Sequence, residues 1–367
     1  DGYFLQGHFS RLKEAWQLPQ QGTYVFASRR LHILSSIHRL DEHALIQLMQ
    51  ANQNSSPRDF LMRIGLSGAH IDQVLNRCGF NKLNAPITDG QGQFLSRAVK
   101  ENLQKAFRML EHEICHLAEV ERSHYIPYLE GLGISARASC AVVDIGWSGT
   151  SALAINQLLR RRSSDNPILT YYLASWNTLN PLSGIPIRSF LCDRGHPDER
   201  AQLINESVAL IEFLFTAPHP PISGVRIKNG KPEPRYESDP HDESRNECLS
   251  AIESGATDFI EDFLQLFPHA PPANTDGVNY IDRVLDRLLR SPTSNEARIY
   301  GSVFHGEGIG SITKSKNFRQ IAAPNRYLFR SSERIANDYL YSQWKSGFLA
   351  QLSKRDKQRL ENHLLKR

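Results

Sequence analysis

The chain has 367 residues, enough for one large domain or two ordinary ones, and its 40% apolar and 22% charged residues are typical of a folded globular protein. The net charge of +4, from 43 basic and 39 acidic residues, is too small to indicate nucleic-acid binding. No apolar run approaches the ~20 residues that span a bilayer, no signal peptide is visible, and the five cysteines show no CxxC spacing. We therefore expect a cytoplasmic protein with free thiols that binds no nucleic acid. Because the first residue is Asp1 rather than Met, we also expect a segment of a longer chain.

In the first quarter of the chain, one predicted strand is followed by helices. The strand covers "TYVFAS" (Thr23–Ser28), and the basic pair Arg29 and Arg30 follows it at once. Helices over "LHILSSIHRL" and "DEHALIQLMQAN" come next, the second with Asp41 as its N-cap. Two shorter helices, each ended by glycine, cover "SSPRDFLMRIGLSG" and "AHIDQVLNRCGF". We interpret residues from about 31 to 90 as a helical insertion.

The longest helical pattern runs from about residue 93 to residue 129. Its apolar residues recur at spacings of three and four and define one buried stripe: Leu103, Phe107, Leu110, Ile114 and Leu117. The same segment contains "HEICH" (His112–His116), a formal HExxH zinc motif. No third ligand follows at the usual spacing, and the motif lies among charged residues away from the stripe. We therefore expect a solvated helix face and keep zinc hydrolysis as the weakest functional hypothesis.

A strand–helix–strand pattern follows in the middle of the chain. "CAVVDI" reads as a strand with Val142 and Val143 buried and Asp144 at its end, "SALAINQLLRRR" as a helix, and "PILTYYLASW" as a second strand. This order predicts a βαβ unit and therefore a parallel sheet. "IRSFLCD" is a further candidate strand, and "NESVALIEFLFTA" is predicted to be a helix.

Composition changes after Pro218. "PHPPISG" and "NGKPEPRYESDPHDESRNE" are rich in proline, glycine and charge, and we interpret them as a surface excursion or linker. The remaining segments read as helices, including a basic tail that we expect to be a solvated helix face. The sequence thus predicts an α/β core in residues 1–230, with the helical insertion, and a mainly helical region in residues 231–367.

The turn between the first strand and helix of the βαβ unit has the composition of a phosphate loop. Small and hydroxyl residues in "GWSGTS" lead into the helix, where free backbone N–H groups and the helix dipole favour an anion. A Walker loop is excluded because its lysine is absent, and a dinucleotide loop is only partly matched. An actin-like ATPase loop sits in a hairpin, whereas "SALAINQLL" is helical. A tight turn capped by Ser151 and stabilised by Asp144 remains the alternative without a ligand.

The loop most closely resembles the 5-phosphoribosyl-1-pyrophosphate (PRPP) loop of type I phosphoribosyltransferases. In that family an apolar strand leads to two acidic residues, then to hydroxyl residues around a glycine. Asp144 matches the second acidic position, Ser148 and Ser151 match the hydroxyl positions, and Val143 replaces the first acid. The resemblance implies a phosphoribosyltransferase-like, Rossmann-like fold. It also implies that one loop contacts the 5-phosphate, through Ser148, Gly149, Thr150 and Ser151.

Two further segments extend the resemblance to pyrophosphate binding. "TYVFASRR" is similar to the strand and basic pair that contact pyrophosphate in that family, and guanidinium groups suit such a ligand. "DGYFLQGHFSRL" looks like a pyrophosphate-loop turn leading into a helix. The resemblance therefore implies pyrophosphate contacts from Asp1, Gly2, Arg29 and Arg30, with Mg²⁺ held mainly through PRPP rather than by a protein site.

Over most of its length the chain resembles the phosphoribosyltransferase-like regions found beside or fused to haloacid-dehalogenase-type phosphatases in bacterial polysaccharide gene clusters. The segments that carry this likeness are "DGYFLQ", "YVFASRRLHI", "VVDIGWSGTS", "LFTAPHPPISGVR" and "SPTSNEARIYGSV". The family implies transfer of 5-phosphoribofuranosyl from PRPP to a sugar hydroxyl of a glycan such as an O-antigen. The acceptor can be lipid-linked at the inner membrane face, and a separate phosphatase removes the 5-phosphate. This chain lacks the DxDxT motif, so it would perform only the transfer.

Inversion at C1 of an α-linked donor needs a base for the acceptor hydroxyl. The candidates are Glu206, Glu212 and His219, and we favour Glu212 because it interrupts an apolar run, where an acid is costly unless it is paired or used. Asp144 and Glu212 are thus the predicted catalytic residues. "FHGEGIGS" (Phe304–Ser311) could line the acceptor site, but we favour an ordinary loop. A module of the same fold that binds a phosphorylated ligand without catalysis is the alternative, since Val143 stands where an acid is expected.

Overall fold

The structure is a computed structural model of the chain. It describes residues 2–50, 54–90, 92–135, 139–159, 167–175, 184–192, 199–237, 241–271, 276–306, 318–322, 324 and 331–365. Within these ranges the fold is mixed α/β: a three-stranded parallel sheet, two two-stranded antiparallel sheets and many helices. The predicted α/β class is therefore confirmed.

In the described residues up to 135, every regular element is a helix. Its helices are α1 (Gly2–Trp16), α2 (Arg29–Ser36), α3 (Glu42–Leu48), α4 (Pro57–Met62), α5 (Ala69–Arg77), α6 (Arg97–Met109) and α7 (Glu111–Gly131). Polar side chains cap several of these helices, and the Asp41 carboxylate accepts the Ala44 N–H at 2.9 Å, as predicted. The predicted stripe is also confirmed: the first four of its five residues are fully buried and Leu117 is partly buried.

Two predictions for this half are wrong. Thr23–Ser28 is not in a strand: the segment is irregular, and its Phe26 N–H donates to the Tyr128 hydroxyl at 2.8 Å rather than to a neighbouring strand. The pattern from residue 93 to 129 is two helices, α6 and α7, because the backbone at Leu110 leaves the helical region (φ −103°, ψ 17°). The apolar period continues through this break, so periodicity alone could not show it.

The central sheet contains β1 (Ala141–Trp147), β2 (Leu169–Ser175) and β3 (Ile187–Cys192) in that order, all parallel. Helix α8 (Thr150–Leu159) connects β1 to β2, which confirms the predicted βαβ unit. β1 continues three residues beyond Asp144, so the prediction that Asp144 ends the strand is wrong. Val143 is 60% exposed rather than buried, and burial on its face of β1 increases toward Ile145 and Trp147. The more buried end of β1 is therefore the end that leads into the turn.

The predicted helix over residues 205–217 is divided in two. Helix α9 (Glu199–Asn205) ends before the non-helical residue Ser207 (φ −131°, ψ 15°), and α10 (Val208–Leu214) follows. Strands β4 (Ile222–Lys228) and β5 (Lys231–Tyr236) then form an antiparallel hairpin that packs on α7.

Of the two interpretations of this proline-rich stretch, the linker is therefore wrong for residues 222–236, whereas a surface excursion agrees with the exposed end of the hairpin. Asn229 (φ 52°) and Gly230 (φ 75°) form its two-residue turn, for which Asn-Gly is the favoured sequence. The proline and charged residues hid this signal because they are unusual in strands.

The C-terminal region contains α11 (Asp242–Leu266), α12 (Asp276–Arg290), α13 (Ser294–Gly301), β6 (Phe304–Gly306), β7 (Phe318–Gln320), α14 (Ser332–Tyr341), α15 (Lys345–Ala350) and α16 (Lys354–Leu364). Its buried residues, such as Trp344 and Phe348, belong to the same hydrophobic core as Ile145 of β1 and Leu210 of α10. One hydrophobic core therefore includes residues from both sides of residue 230. None of the helices in the described ranges is long and apolar enough to cross a membrane.

A buried ion pair joins the helical half to the hairpin. The Arg30 guanidinium donates to the Glu121 carboxylate of α7 at 3.0 Å, and both side chains are only 3% exposed. Arg30 also donates to the carbonyl of Ser223 in β4 and to that of Ile64 at 3.0 Å, and Glu121 accepts a second guanidinium, from Arg235, at 2.8 Å. Because Arg30 and Glu121 are both buried, removal of Arg30 would leave Glu121 with only the partly exposed Arg235 and would leave two carbonyl groups without this donor.

We expect Arg30→Met to lower the free energy of unfolding by about 3–5 kcal/mol, because Glu121 would lose its buried partner. Arg97→Met is the matched control: Arg97 forms an ion pair with Glu101 at 2.7 Å, but its side chain is 91% exposed, so a loss below about 1 kcal/mol is expected. Urea unfolding followed by circular dichroism measures both. Equal losses of unfolding free energy in the two variants would show that the buried pair stabilises the fold no more than the exposed pair.

Candidate functional site

Glycine is required at the end of β1 and in the turn that follows it. Gly146 has φ +133°, and a Cβ atom there would lie 2.1 Å from the carbonyl oxygen of Ala174 in β2. Gly149 has φ +85° and precedes the first residue of α8. The Gly146–Trp147 peptide bond is cis. The absence of a Cβ atom at Gly146 lets the end of β1 approach β2, and Gly149 leads directly into α8.

The first turn of α8 has the features of an anion site. The first N–H groups of a helix have no partner within the helix, and its dipole places partial positive charge there. The Ser148 and Thr150 hydroxyls lie 3.0 Å apart, and the Leu153 N–H donates to the Gly149 carbonyl at 2.9 Å. The predicted 5-phosphate residues therefore lie together in one turn.

Asp144 lies on β1 before this turn and is partly buried. Its Oδ1 accepts the N–H of Ile145 at 2.8 Å. Burial raises the pKa of Asp144, and the nearby Glu212 carboxylate raises it further, against the lowering effects of the Ile145 N–H and the Arg29 charge. Neighbouring side chains on a strand alternate between faces, so Val143, at the position of the missing acid, points to the face opposite Asp144.

Glu212 on α10 is held by hydrogen bonds to both of its oxygens. The Trp147 indole N–H donates to Oε1 at 2.8 Å, and His305 Nε2 lies 2.8 Å from Oε2. Burial acts to raise the pKa of Glu212, but the hydrogen bonds from His305 and Trp147 and the charge of Arg29 outweigh it, so the pKa is lowered. The two predicted catalytic carboxyls are therefore neighbours with opposite pKa shifts.

The two arginines of the predicted pyrophosphate site have different positions. Arg29 is exposed, and its charge contributes to lowering the pKa of both Asp144 and Glu212, so it lies within electrostatic range of the carboxyl pair. Arg30 is engaged in the buried ion pair with Glu121, so its guanidinium does not fit the predicted role at pyrophosphate. Adjacent helix residues point about 100° apart, which is why one arginine is buried and the other is not.

Other predicted site residues have different contacts or lie outside the described ranges. Gly2 is the first residue of α1, beside the ring of Tyr24, and Asp1 lies outside the described residues. Glu206 accepts from Gln202 at 2.9 Å, and His219 Nε2 lies 2.8 Å from the Tyr24 hydroxyl. The structure thus gives no support for Glu206 or His219 as the base.

The HExxH motif does not form a metal site in the described residues. His112 and His116 are exposed on α7, as predicted, and Glu113 pairs with His70 at 3.1 Å. No group of three histidine, cysteine, aspartate or glutamate side chains able to hold a metal ion occurs in the described part of the chain. Asp144, with only one of its oxygens in a hydrogen bond there, suits a Mg²⁺ that arrives with substrate phosphates, because such ions often use one or two carboxylates.

Sequence patterns do not identify three residues of the cluster. His305 lies in "FHGEGIGS", which has the composition of an ordinary loop, and Trp147 has no signal beyond its place in the turn. Tyr172 of β2 is 3% exposed and pairs with Asp144 across the sheet. Burial raises the pKa of Tyr172, the Asp144 charge raises it further, and the Ala152 N–H in the first turn of α8 opposes the shift. Only the pairing of β1 with β2 in space reveals this neighbour.

We expect Gly146→Ala to destabilise the protein by at least about 2 kcal/mol, because the new methyl group meets the Ala174 carbonyl in addition to the backbone strain. Gly133→Ala is the matched control, since Gly133 also has positive φ (+79°) but a Cβ atom there would meet nothing within 4 Å. Its cost should be near 1 kcal/mol, about that of strain alone. Thermal unfolding of both variants checks this, and a smaller loss in Gly146→Ala than in Gly133→Ala would contradict it.

We expect Asp144→Asn to be more stable than the wild type at pH 7, because it removes a buried charge. The raised pKa of Asp144 means that its proton stabilises the folded state fully below the unfolded pKa of ~3.9, and that this stabilisation is lost as pH rises through the folded value. The advantage of the variant should therefore shrink as the pH falls toward 4. Unfolding free energies from pH 4 to 8 test this, and a variant less stable at pH 7 would refute the burial effect.

Comparison with known proteins adds no assignment to this geometry. No family model matches the chain, and no match is found among curated proteins. The functional interpretation therefore rests on the loop, the carboxyl pair and the resemblance described from the sequence.

Proposed function

We propose that the chain transfers 5-phosphoribofuranosyl from PRPP to a sugar hydroxyl of a growing bacterial glycan and releases pyrophosphate. One observation carries the proposal: the carboxyl pair Asp144–Glu212 and the cation Arg29 lie beside a glycine turn that opens α8. A donor with one phosphate, a ribose and a pyrophosphate needs these three kinds of group close together. The specific phosphoribosyltransferase-like fold is part of the proposal.

The 5-phosphate is assigned to the first turn of α8. Backbone N–H groups of this turn and the hydroxyls of Ser148, Thr150 and Ser151 supply donors for its oxygens. Binding here fixes one end of the ribose, so C1 is held at a defined distance from the carboxyl pair. Asp144 then faces the ribose, where it can hydrogen-bond the hydroxyls or stabilise the positive charge that develops as pyrophosphate leaves.

Arg29 is assigned to the pyrophosphate. Its side chain is exposed and close to both carboxylates, so it can contact an incoming anion without losing a buried partner. A guanidinium group forms paired hydrogen bonds with phosphate oxygens. When bound with PRPP, Mg²⁺ supplies further neutralisation of the charge that accumulates on the leaving pyrophosphate.

A second candidate is a module that binds a phosphorylated ligand without catalysis. Two observations favour it: Val143 takes the place of the first acid, and Arg30 is committed to the ion pair with Glu121. Both candidates predict binding of PRPP or a related phosphate ester. Only the transferase predicts loss of pyrophosphate and a covalent product, so product analysis separates them.

The proposed reaction defines the expected partners. The glycan acceptor can be lipid-linked, which would bring the chain to the cytoplasmic face of the membrane. The product would carry a 5-phosphate, so a haloacid-dehalogenase-type phosphatase would have to follow. No surface feature of the described residues identifies the acceptor or the phosphatase.

The test combines PRPP binding with transfer. Calorimetry with PRPP and Mg²⁺ should show binding by the wild type, and Arg29→Ala should weaken it about 10-fold or more through loss of a charged hydrogen bond. Incubation with a panel of lipid-linked and synthetic glycans should give a phosphopentose mass increase. Asp144→Asn should lower transfer about 10²–10³-fold, the effect typical of removing one transition-state contact.

Arg97→Ala, on an exposed helix face, is the control and should bind and transfer like the wild type. Absence of PRPP binding by the wild type would refute the transferase. Binding without transfer to any acceptor, with no pyrophosphate released, would leave the binding module. Wild-type transfer by Asp144→Asn would refute the role of that carboxylate.

A further inference from the structure

Three segments that are distant in sequence each contribute one side chain to a hydrogen-bonded row, which consists of His305, Glu212 and Trp147. Trp147 is on β1, Glu212 on α10 and His305 on β6, so the row depends on the tertiary fold. The Glu212 carboxylate lies between the other two, with both contacts at 2.8 Å. His305 is 12% and Glu212 23% exposed, so the row is largely shielded but reachable from one side.

The chemistry of these three side chains determines which atom donates in each hydrogen bond. An ionised carboxylate only accepts hydrogen bonds, and the two contacts hold Glu212 in that form. His305 Nε2 must therefore carry the proton that it shares with Glu212. In a neutral imidazole the other nitrogen, Nδ1, is then an acceptor. Within the described ranges no residue forms a hydrogen bond with Nδ1.

The position of His305 is held by its strand. The neighbouring ring, Phe304, stacks on His241 with centroids 4.1 Å apart and planes at 3°. β6 also pairs with β7, and His305 lies opposite Arg319 in that pairing. The backbone on which the imidazole sits is thus fixed from two sides before Glu212 orients the ring.

We propose that His305 is the general base that accepts the proton of the acceptor sugar hydroxyl, and that Glu212 and Trp147 are positioning residues. This assignment rests on the proposed transferase function and revises the role that the sequence predicted for Glu212. Both oxygens of Glu212 already accept a hydrogen bond, whereas His305 presents one basic nitrogen. The carboxylate–histidine arrangement is a general device for orienting an imidazole and stabilising its protonated form.

The step balances as a displacement at C1 of the ribose. The acceptor oxygen forms the new bond to C1, its hydrogen passes to His305 Nδ1, and the C1–O bond to pyrophosphate breaks with the electron pair on the leaving group. The imidazolium ion faces Glu212, whose negative charge stabilises it at 2.8 Å. It returns the proton to water after the product leaves, so no further reactant is needed.

His305→Ala should retain PRPP binding within about 3-fold, because His305 contacts the acceptor and not the donor, and should lose transfer about 10²–10⁴-fold, the usual contribution of a general base. Added imidazole should restore part of the transfer at saturating acceptor, which a purely structural loss would not allow. His70→Ala is the matched control: it removes a histidine paired with Glu113 at 3.1 Å on the surface and should leave transfer unchanged.

Glu212→Gln separates positioning from proton transfer. The amide can donate to Nε2 and so favours the opposite imidazole tautomer, with the proton on Nδ1. Transfer should fall about 10²-fold or more while PRPP binding persists, and imidazole should rescue this variant less than His305→Ala. Equal rescue of the two would contradict the positioning role of Glu212.

The tautomer itself gives a readout that does not depend on activity. Long-range ¹H–¹⁵N NMR of the wild-type protein should show His305 protonated at Nε2 and unprotonated at Nδ1, assigned by comparison with His305→Gln. A proton on Nδ1 in the wild type would overturn the proposal.

Failure of the transferase function and failure of the base assignment would give different results. If the wild type binds no PRPP, the transferase function is refuted and the base assignment with it. If the wild type transfers and His305→Ala transfers equally well, only the base assignment is overturned. If His305→Ala loses transfer but imidazole gives no rescue, while circular dichroism shows wild-type folding, His305 acts as a structural residue and the proposal is overturned.

Discussion

The buried ion pair between Arg30 and Glu121 is the contact on which the arrangement of the amino-terminal half depends. It ties α2 to α7 and, through Ser223, to the β4–β5 hairpin. Arg30 cannot turn outward without removing the buried partner of Glu121 and the donor to two carbonyl groups. Because Arg30 points inward, the orientation of α2 about its own axis is fixed. Arg29, the first residue of this helix, then lies near Asp144 and Glu212. A structural residue thereby positions a residue of the candidate site.

The candidate site combines two carboxylates whose environments separate their properties. Glu212 receives hydrogen bonds on both oxygens and is stabilised as an anion, whereas Asp144 is partly buried with its Oδ1 bonded to the next amide and has a raised pKa. Two like charges in one pocket are tolerated because Arg29 acts on both and because the indole and imidazole groups share the charge of one of them. Such separation is typical of sites in which neighbouring acids have different tasks.

The carboxy-terminal region is part of this site rather than an appendage. β6 supplies His305, and the helices around Trp344 share a core with the end of β1. The composition change after Pro218 indicated a boundary, because proline and charge are typical of linkers. In the fold those residues form a hairpin whose partner is α7, and the chain returns to the carboxyl pair at β6. Composition describes a segment by itself, whereas this contact depends on what the segment packs against.

The sequence by itself determined the local elements whose signals lie within a few residues. The βαβ order, the N-cap of α3, the apolar stripe of α6 and α7, and the small-residue turn before α8 all follow from spacing, capping and residue type. Asp144 was predicted from its place before this turn and its match to the second acidic position of the PRPP loop, and Glu212 because an acid in an apolar run is costly without a use or a partner.

Only the tertiary structure decided which of two adjacent arginines is buried, which face Val143 takes, and that Trp147, Tyr172 and His305 surround the carboxyl pair. These residues come from separate elements that lie far apart in the chain. Their proximity depends on packing between elements, for which a single sequence contains no periodic or local signal.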